Sequence, residues 1–94
     1  MREYDFKMFL DASGITPKSV KSIVRDAKKA ENALGICLDA KVSNDDTMYE
    51  ALQELRLSDD LKHGHMQRAL RKYYEFCNGK EFPQLRYYHS AKHP

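Results

Sequence analysis

The sequence predicts an all-α domain, a compact bundle of four to five short helices. Three observations carry this. Apolar residues recur at spacings of three and four in several segments. No segment alternates apolar and polar residues as a half-buried strand does. Gly and Pro fall between the periodic segments rather than inside them.

Tyr4 to Ala12 has apolar residues too dense for one clean face and reads as a short helix or turn packed on the body. "SGITP" interrupts it: Thr16 is a good N-cap, and Pro17 suits the first helical position, where its missing N–H costs nothing. From there Val20, Ile23, Val24, Ala27, Ala30 and Leu34 mark a long helix that Gly35 closes. "ICLDAKV" is apolar enough to be buried but short for a helix. Ser43 then reads as an N-cap, with Asp45 and Asp46 in a first turn that favours carboxylates. Met48, Leu52 and Leu55 define a third helix ending near Arg56. Ser58-Asp59-Asp60 resembles a further cap, followed by a turn at His63-Gly64-His65. The last helix buries Met66, Ala69, Leu70, Tyr73 and Cys77, with Phe76 beside them, and stops at Asn78-Gly79. Residues 1–79 thus form one domain. Residues 80–94, with Pro83 and no sustained period, read as a tail or linker in which Phe82, Leu85, Tyr87 and Tyr88 are possible anchors.

At 94 residues the chain allows one domain, burying about 60–65% of the surface its unfolded chain exposes. No apolar run approaches the roughly 20 residues that span a bilayer, and charged residues follow Met1 where a signal peptide would be apolar. The expectation is a cytoplasmic protein without a membrane partner. Cys37 and Cys77 lie far apart and form no CxxC pair, so two buried, reduced thiols are expected rather than a disulfide.

The net charge of +2 conceals a sorting of charge along the chain. Residues 1–38 hold seven Lys/Arg against five Asp/Glu; residues 39–60 hold two against seven; residues 61–94 hold seven against two. Such sorting concerns partners rather than fold. On the long helix, Lys18, Lys21, Arg25, Lys28 and Lys29 form one stripe away from the apolar seam, with Asp26 and Glu31 largely off it. On the last helix Arg68, Arg71 and Lys72, with His65 one turn earlier, form another. Cations at helical spacing can meet successive phosphates, and counterion release then supplies affinity. Ser19, Ser22 and Gln67 add hydrogen-bonding groups suited to phosphate or base edges. A single charged stripe is ordinarily a solvated face. Two stripes whose balancing acids sit on the intervening helix are less ordinary, because a solubility surface mixes signs.

"GITPKSVKSIVRDAKKAENAL", followed after one helix by "HMQRALRKYYEFCNG", resembles the N-terminal core-binding (SAM-like) domain of phage integrases and other tyrosine recombinases, over residues 10–79. The resemblance implies a helical DNA-binding module of site-specific DNA integration and recombination, in which the first long helix and the last one face duplex DNA. The positions matching that face are Lys18, Lys21, Ser22, Arg25, Lys28, Gln67, Arg68, Arg71 and Lys72, while Val20, Ile23, Val24, Leu70, Tyr73 and Phe76 fall in the core. Members often carry an aromatic where Ile23 or Val24 stands here. The chain has no room for a recombinase catalytic domain, so it is expected not to be an enzyme; the resemblance implies an excised domain or a stand-alone relative, with that catalytic domain or a protein as an expected partner beside DNA.

Other chemistry finds little footing. His63 and His65 form an HxH, and His89 and His93 are four apart, but zinc needs four converging ligands in close pairs. Solvated histidines are the plain reading, although His65 also suits a phosphate contact. There is no GxSxG and no phosphate-binding glycine loop, so no catalytic residue, metal or small-molecule cofactor is expected. Tyr73 reads as core; Tyr74, displaced by about 100° on the helix, is open to stacking or a phosphate. The alternative function is a small phage- or plasmid-type regulator that binds a protein partner through its acidic central helix.

Overall fold

Thr16, Pro17 and Gly35 bound the longest helix, as their chemistry requires. In the computed structural model, which describes residues 1–58 and 64–83, Thr16 accepts the Ser19 N–H at 3.3 Å and Pro17 opens the first turn. Gly35 ends the helix at φ 69°, in the left-handed region that glycine enters without a Cβ clash, and its N–H reaches Glu31 O at 2.9 Å. The elements are α1 (Glu3–Ala12), α2 (Pro17–Leu34), α3 (Leu38–Val42), α4 (Asp45–Ser58) and α5 (His65–Asn78). No strand occurs among the described residues. Gly79 stops α5 as Gly35 stops α2, at φ 72°.

The start of α4 differs from the sequence reading. Asn44, not Ser43, is the cap: its Oδ1 accepts the Asp46 N–H at 2.7 Å and the Thr47 N–H at 3.3 Å. Ser43 instead turns back, donating to Ala40 O at 2.8 Å, and so finishes α3. Asn44→Ala is therefore expected to cost about 1 kcal/mol, a fall in Tm of about 4–8 °C for a domain this small. Thermal denaturation checks it, and an equal loss for Ser43→Ala would contradict the assignment.

α2 packs most extensively against α5, and α1 lies against both. The seam consists of Val20, Ile23, Ala27 and Ala30 of α2 with Ala69, Leu70 and Tyr73 of α5, all buried. Phe6 and Leu10 enter from α1, Leu38 and Val42 from α3, and Met48, Ala51, Leu52 and Leu55 from α4. Each large apolar side chain so buried contributes about 1.5–3 kcal/mol. Phe6 meets Tyr73 edge-on at 5.0 Å, and Phe76 lies within 5.7 Å of both Phe6 and Phe9. Met66, Phe76 and Cys77 pack on this core only partly buried.

Tyr74, Cys37 and Cys77 sit otherwise than the sequence suggested. Tyr74 is buried, 1% exposed, and its hydroxyl donates to Asp45 Oδ1 at 2.6 Å; it ties α5 to the start of α4 and is not available for stacking. Asp26 is also buried, with Arg25 Nε 3.6 Å from its Oδ1. Of the two free cysteines, Cys37 is exposed and Cys77 half-buried, because both stand around the Asp39 carboxylate rather than inside the core.

Asp39 is the polar hub of the α3–α5 contact. Tyr73 donates to its Oδ1 at 2.5 Å, Cys37 to its Oδ2 at 3.1 Å, and the Met1 ammonium lies 3.6 Å away. Burial works against the charged carboxylate. The hydrogen bonds from Tyr73 and Cys37, helped by the Met1 ammonium and Arg2, outweigh it and hold Asp39 below the usual carboxylate range. The chain after α5 also joins the body, since Phe82 is 4% exposed and packs edge-on against Tyr74 at 5.1 Å. Leu85, Tyr87, Tyr88, His89 and His93, and the cap residues Asp59 and Asp60 with His63, lie outside the described residues.

Candidate nucleic-acid interface

The period that buries Val20, Ile23, Ala27 and Ala30 dictates where the cations of α2 go. Arg25 is five residues from Val20, about 140° around the helix, so it points away from the seam; Lys18, Lys21, Lys28 and Lys29 share that outer side, and all five are exposed. Lys21, Arg25 and Lys28 converge on a cleft of about 260 Å³ between α1 and α2. Val20 and Val24 form its apolar floor, while Glu3 and Lys7 of α1 form the facing wall. Among the described residues Glu3 is the cleft's one carboxylate, and Lys28 Nζ reaches its Oε1 at 2.8 Å. That pair is half exposed on both sides, hence worth about 0–1 kcal/mol and easily exchanged for another anion. Lys18, Lys21 and Lys29 make no ion pair among the described residues. Lys18 and Ser22 lie outside the cleft, and Ser22 is half-buried.

The α5 cations are differently placed. Arg68, Arg71 and Lys72 line a second cleft of about 280 Å³, but Glu75, Glu81 and Phe82 share it. Lys72 Nζ is 3.5 Å from Glu75 Oε2. Arg71 turns inward along the chain that follows α5: its Nη1 donates to Phe82 O at 3.0 Å and Pro83 O at 3.1 Å. Its guanidinium lies 5.9 Å from the Phe82 ring centre. Burial lowers the Arg71 pKa below the ordinary arginine value, far too little to discharge it at neutral pH. Arg68 stays exposed; Gln67, on the neighbouring flank, lies outside the cleft. His65 opens α5 on the exposed side.

The two clefts have no residue in common. The fold thus gathers three predicted residues in each of two places, and the α2 cleft carries the larger excess of positive charge. Sequence reading missed Lys7, Glu3, Glu75 and Glu81 as part of these surroundings. Lys7 is four residues beyond Glu3 on the short α1, a signal too local to predict a wall opposite α2.

No helix among the described residues is long and apolar enough to cross a membrane. No group of three His, Cys, Asp or Glu among them is placed to hold a metal ion. Comparison with protein-family models, curated proteins and solved structures finds no match to this chain. Fold and site therefore define its class: an all-α domain with five helices among its described residues, the longest of which presents a basic outer face.

Proposed function

We propose that this domain binds duplex DNA through the phosphate backbone, with α2 as the principal contact and α5 as the lesser one. The observation that carries the reading is the convergence of Lys21, Arg25 and Lys28 on one cleft, with Lys7 beside them and a single, exchangeable carboxylate. Lys18 and Lys29 extend the row along about 16 Å of helix, enough to set several cations against a backbone whose counterions they displace. The residue pattern shared with recombinase core-binding domains points the same way. In that setting the module would hold DNA for a catalytic domain borne on another segment or chain. Alone it should bind in the range of about 10⁻⁴–10⁻⁶ M, as non-specific contacts do.

A second reading has one specific feature in its favour. The outer side of α4 carries Asp46, Glu50, Glu54 and, on the same stripe, Leu57 at 89% exposure. A basic protein partner would dock there. An NMR titration with a short DNA duplex separates the two. Shifts concentrated on Lys18–Lys29, with smaller ones near Arg68, are expected; shifts centred on Asp46–Leu57, or none at all, would remove the DNA reading and leave the acidic stripe as the working face.

A further inference from the structure

After Gly79 the chain folds back along α5, and four observations fix how. Phe82 is buried and seated edge-on against Tyr74. Tyr74 is itself anchored to α4 through Asp45. Arg71 binds two successive carbonyls of this segment through one nitrogen. Glu81 is brought to the rim of the cleft that Arg68, Arg71 and Lys72 line. Nothing in a mere chain exit requires the last two. A guanidinium on two neutral carbonyls occupies a position that a phosphate, a charged bidentate acceptor, would fill more strongly, and a carboxylate at the rim repels an incoming phosphate.

From this arrangement we infer that residues 80–83 are an inhibitory strap on α5: they hold Arg71 and set Glu81 among the cations, so that α5 engages the phosphate backbone only when Phe82 leaves Tyr74. This rests on the duplex-binding reading and adds a regulated contact to it. The strap and the DNA compete for the same guanidinium, so DNA binding and strap release are coupled: each favours the other, by the same factor. Whatever pulls on the chain beyond Pro83, such as docking of the segment that follows, shifts the domain toward tighter binding. Among the described residues the α2 cleft has no such cover, which makes it the constant contact and α5 the conditional one.

The test uses fluorescence anisotropy with a labelled duplex over a series of potassium chloride concentrations, on the full chain and on Phe82→Ala, Glu81→Gln and Phe82→Ala/Arg71→Ala. Phe82→Ala should tighten binding about three- to tenfold at low salt and steepen the log–log salt slope by about 0.9, one further phosphate contact. The double variant should lose the whole gain. Glu81→Gln, at an exposed position, should tighten binding by about twofold, and it carries the test alone if circular dichroism shows Phe82→Ala to be unfolded. Wild-type binding that neither single variant improves, or a gain that survives loss of Arg71, overturns the strap while leaving the duplex reading intact. Absence of binding by every protein overturns both.

Discussion

Tyr73→Ala should cost the domain about 3–5 kcal/mol, a large part of the stability a chain of this size has. The ring is fully buried between Phe6 at 5.0 Å and Phe76 at 5.4 Å, so truncation leaves a cavity where α1, α2 and α5 meet. The hydroxyl adds a separable share, because it accepts the Arg2 N–H at 2.9 Å while donating to Asp39 at 2.5 Å. Tyr73→Phe keeps the ring and removes both bonds, at a cost of about 1 kcal/mol; Asp39 is 38% exposed, so water takes over much of the lost bond. Urea denaturation at neutral pH measures both, and an unchanged midpoint for Tyr73→Phe would show that the hydroxyl contributes nothing. The acid limb gives an independent check. Asp39 has a lower pKa folded than unfolded, so its contribution is present above the ordinary value of 3.8 and fades as pH falls below it through the folded value. Asp39→Asn should be less stable at neutral pH and should lose less on acidification.

What the sequence disclosed follows the range of each interaction. Thr16, Pro17 and Gly35 act on backbone groups within four residues, and the helix they bound runs from Pro17 to Leu34 as read. Ser43 and Asn44 are both competent caps side by side, and only the turn made by α3 decides between them. The burial of Tyr74 was not legible at all, because it is set by Asp45 and Phe82, partners that the α5 pattern does not contain. Arg71 fits the basic stripe by spacing, yet its neighbours are carbonyls eleven and twelve residues onward. Periodicity tells which side of a helix is outward. It does not tell whether another part of the chain will come to lie there, and that is where the two stripes diverge.

That divergence makes the α2 cations the decisive ones. Lys21→Ala/Arg25→Ala/Lys28→Ala should abolish measurable duplex binding at moderate salt, lowering affinity by about two to three orders of magnitude at low ionic strength and flattening the salt slope by about 2.7, for three lost phosphate contacts. Folding should be little affected by the loss of Lys21 and Lys28, whereas Arg25→Ala also takes the 3.6 Å partner from the buried Asp26 carboxylate and should lower the thermal transition. All three side chains are exposed, alanine is the best helix former, and the one cross-element bond lost is the half-exposed Lys28–Glu3 pair. A cooperative thermal transition that stays well above the assay temperature therefore confines the effect to binding. Arg68→Ala/Lys72→Ala is the informative contrast: Glu75 and Glu81 already offset those charges, so its loss should be about tenfold or less. If the α5 pair proved as damaging as the α2 triple, the two clefts would be equal contacts, and the ranking drawn from their acids would be wrong. If neither moved the slope, the basic face of α2 would be a solvated surface and nothing more.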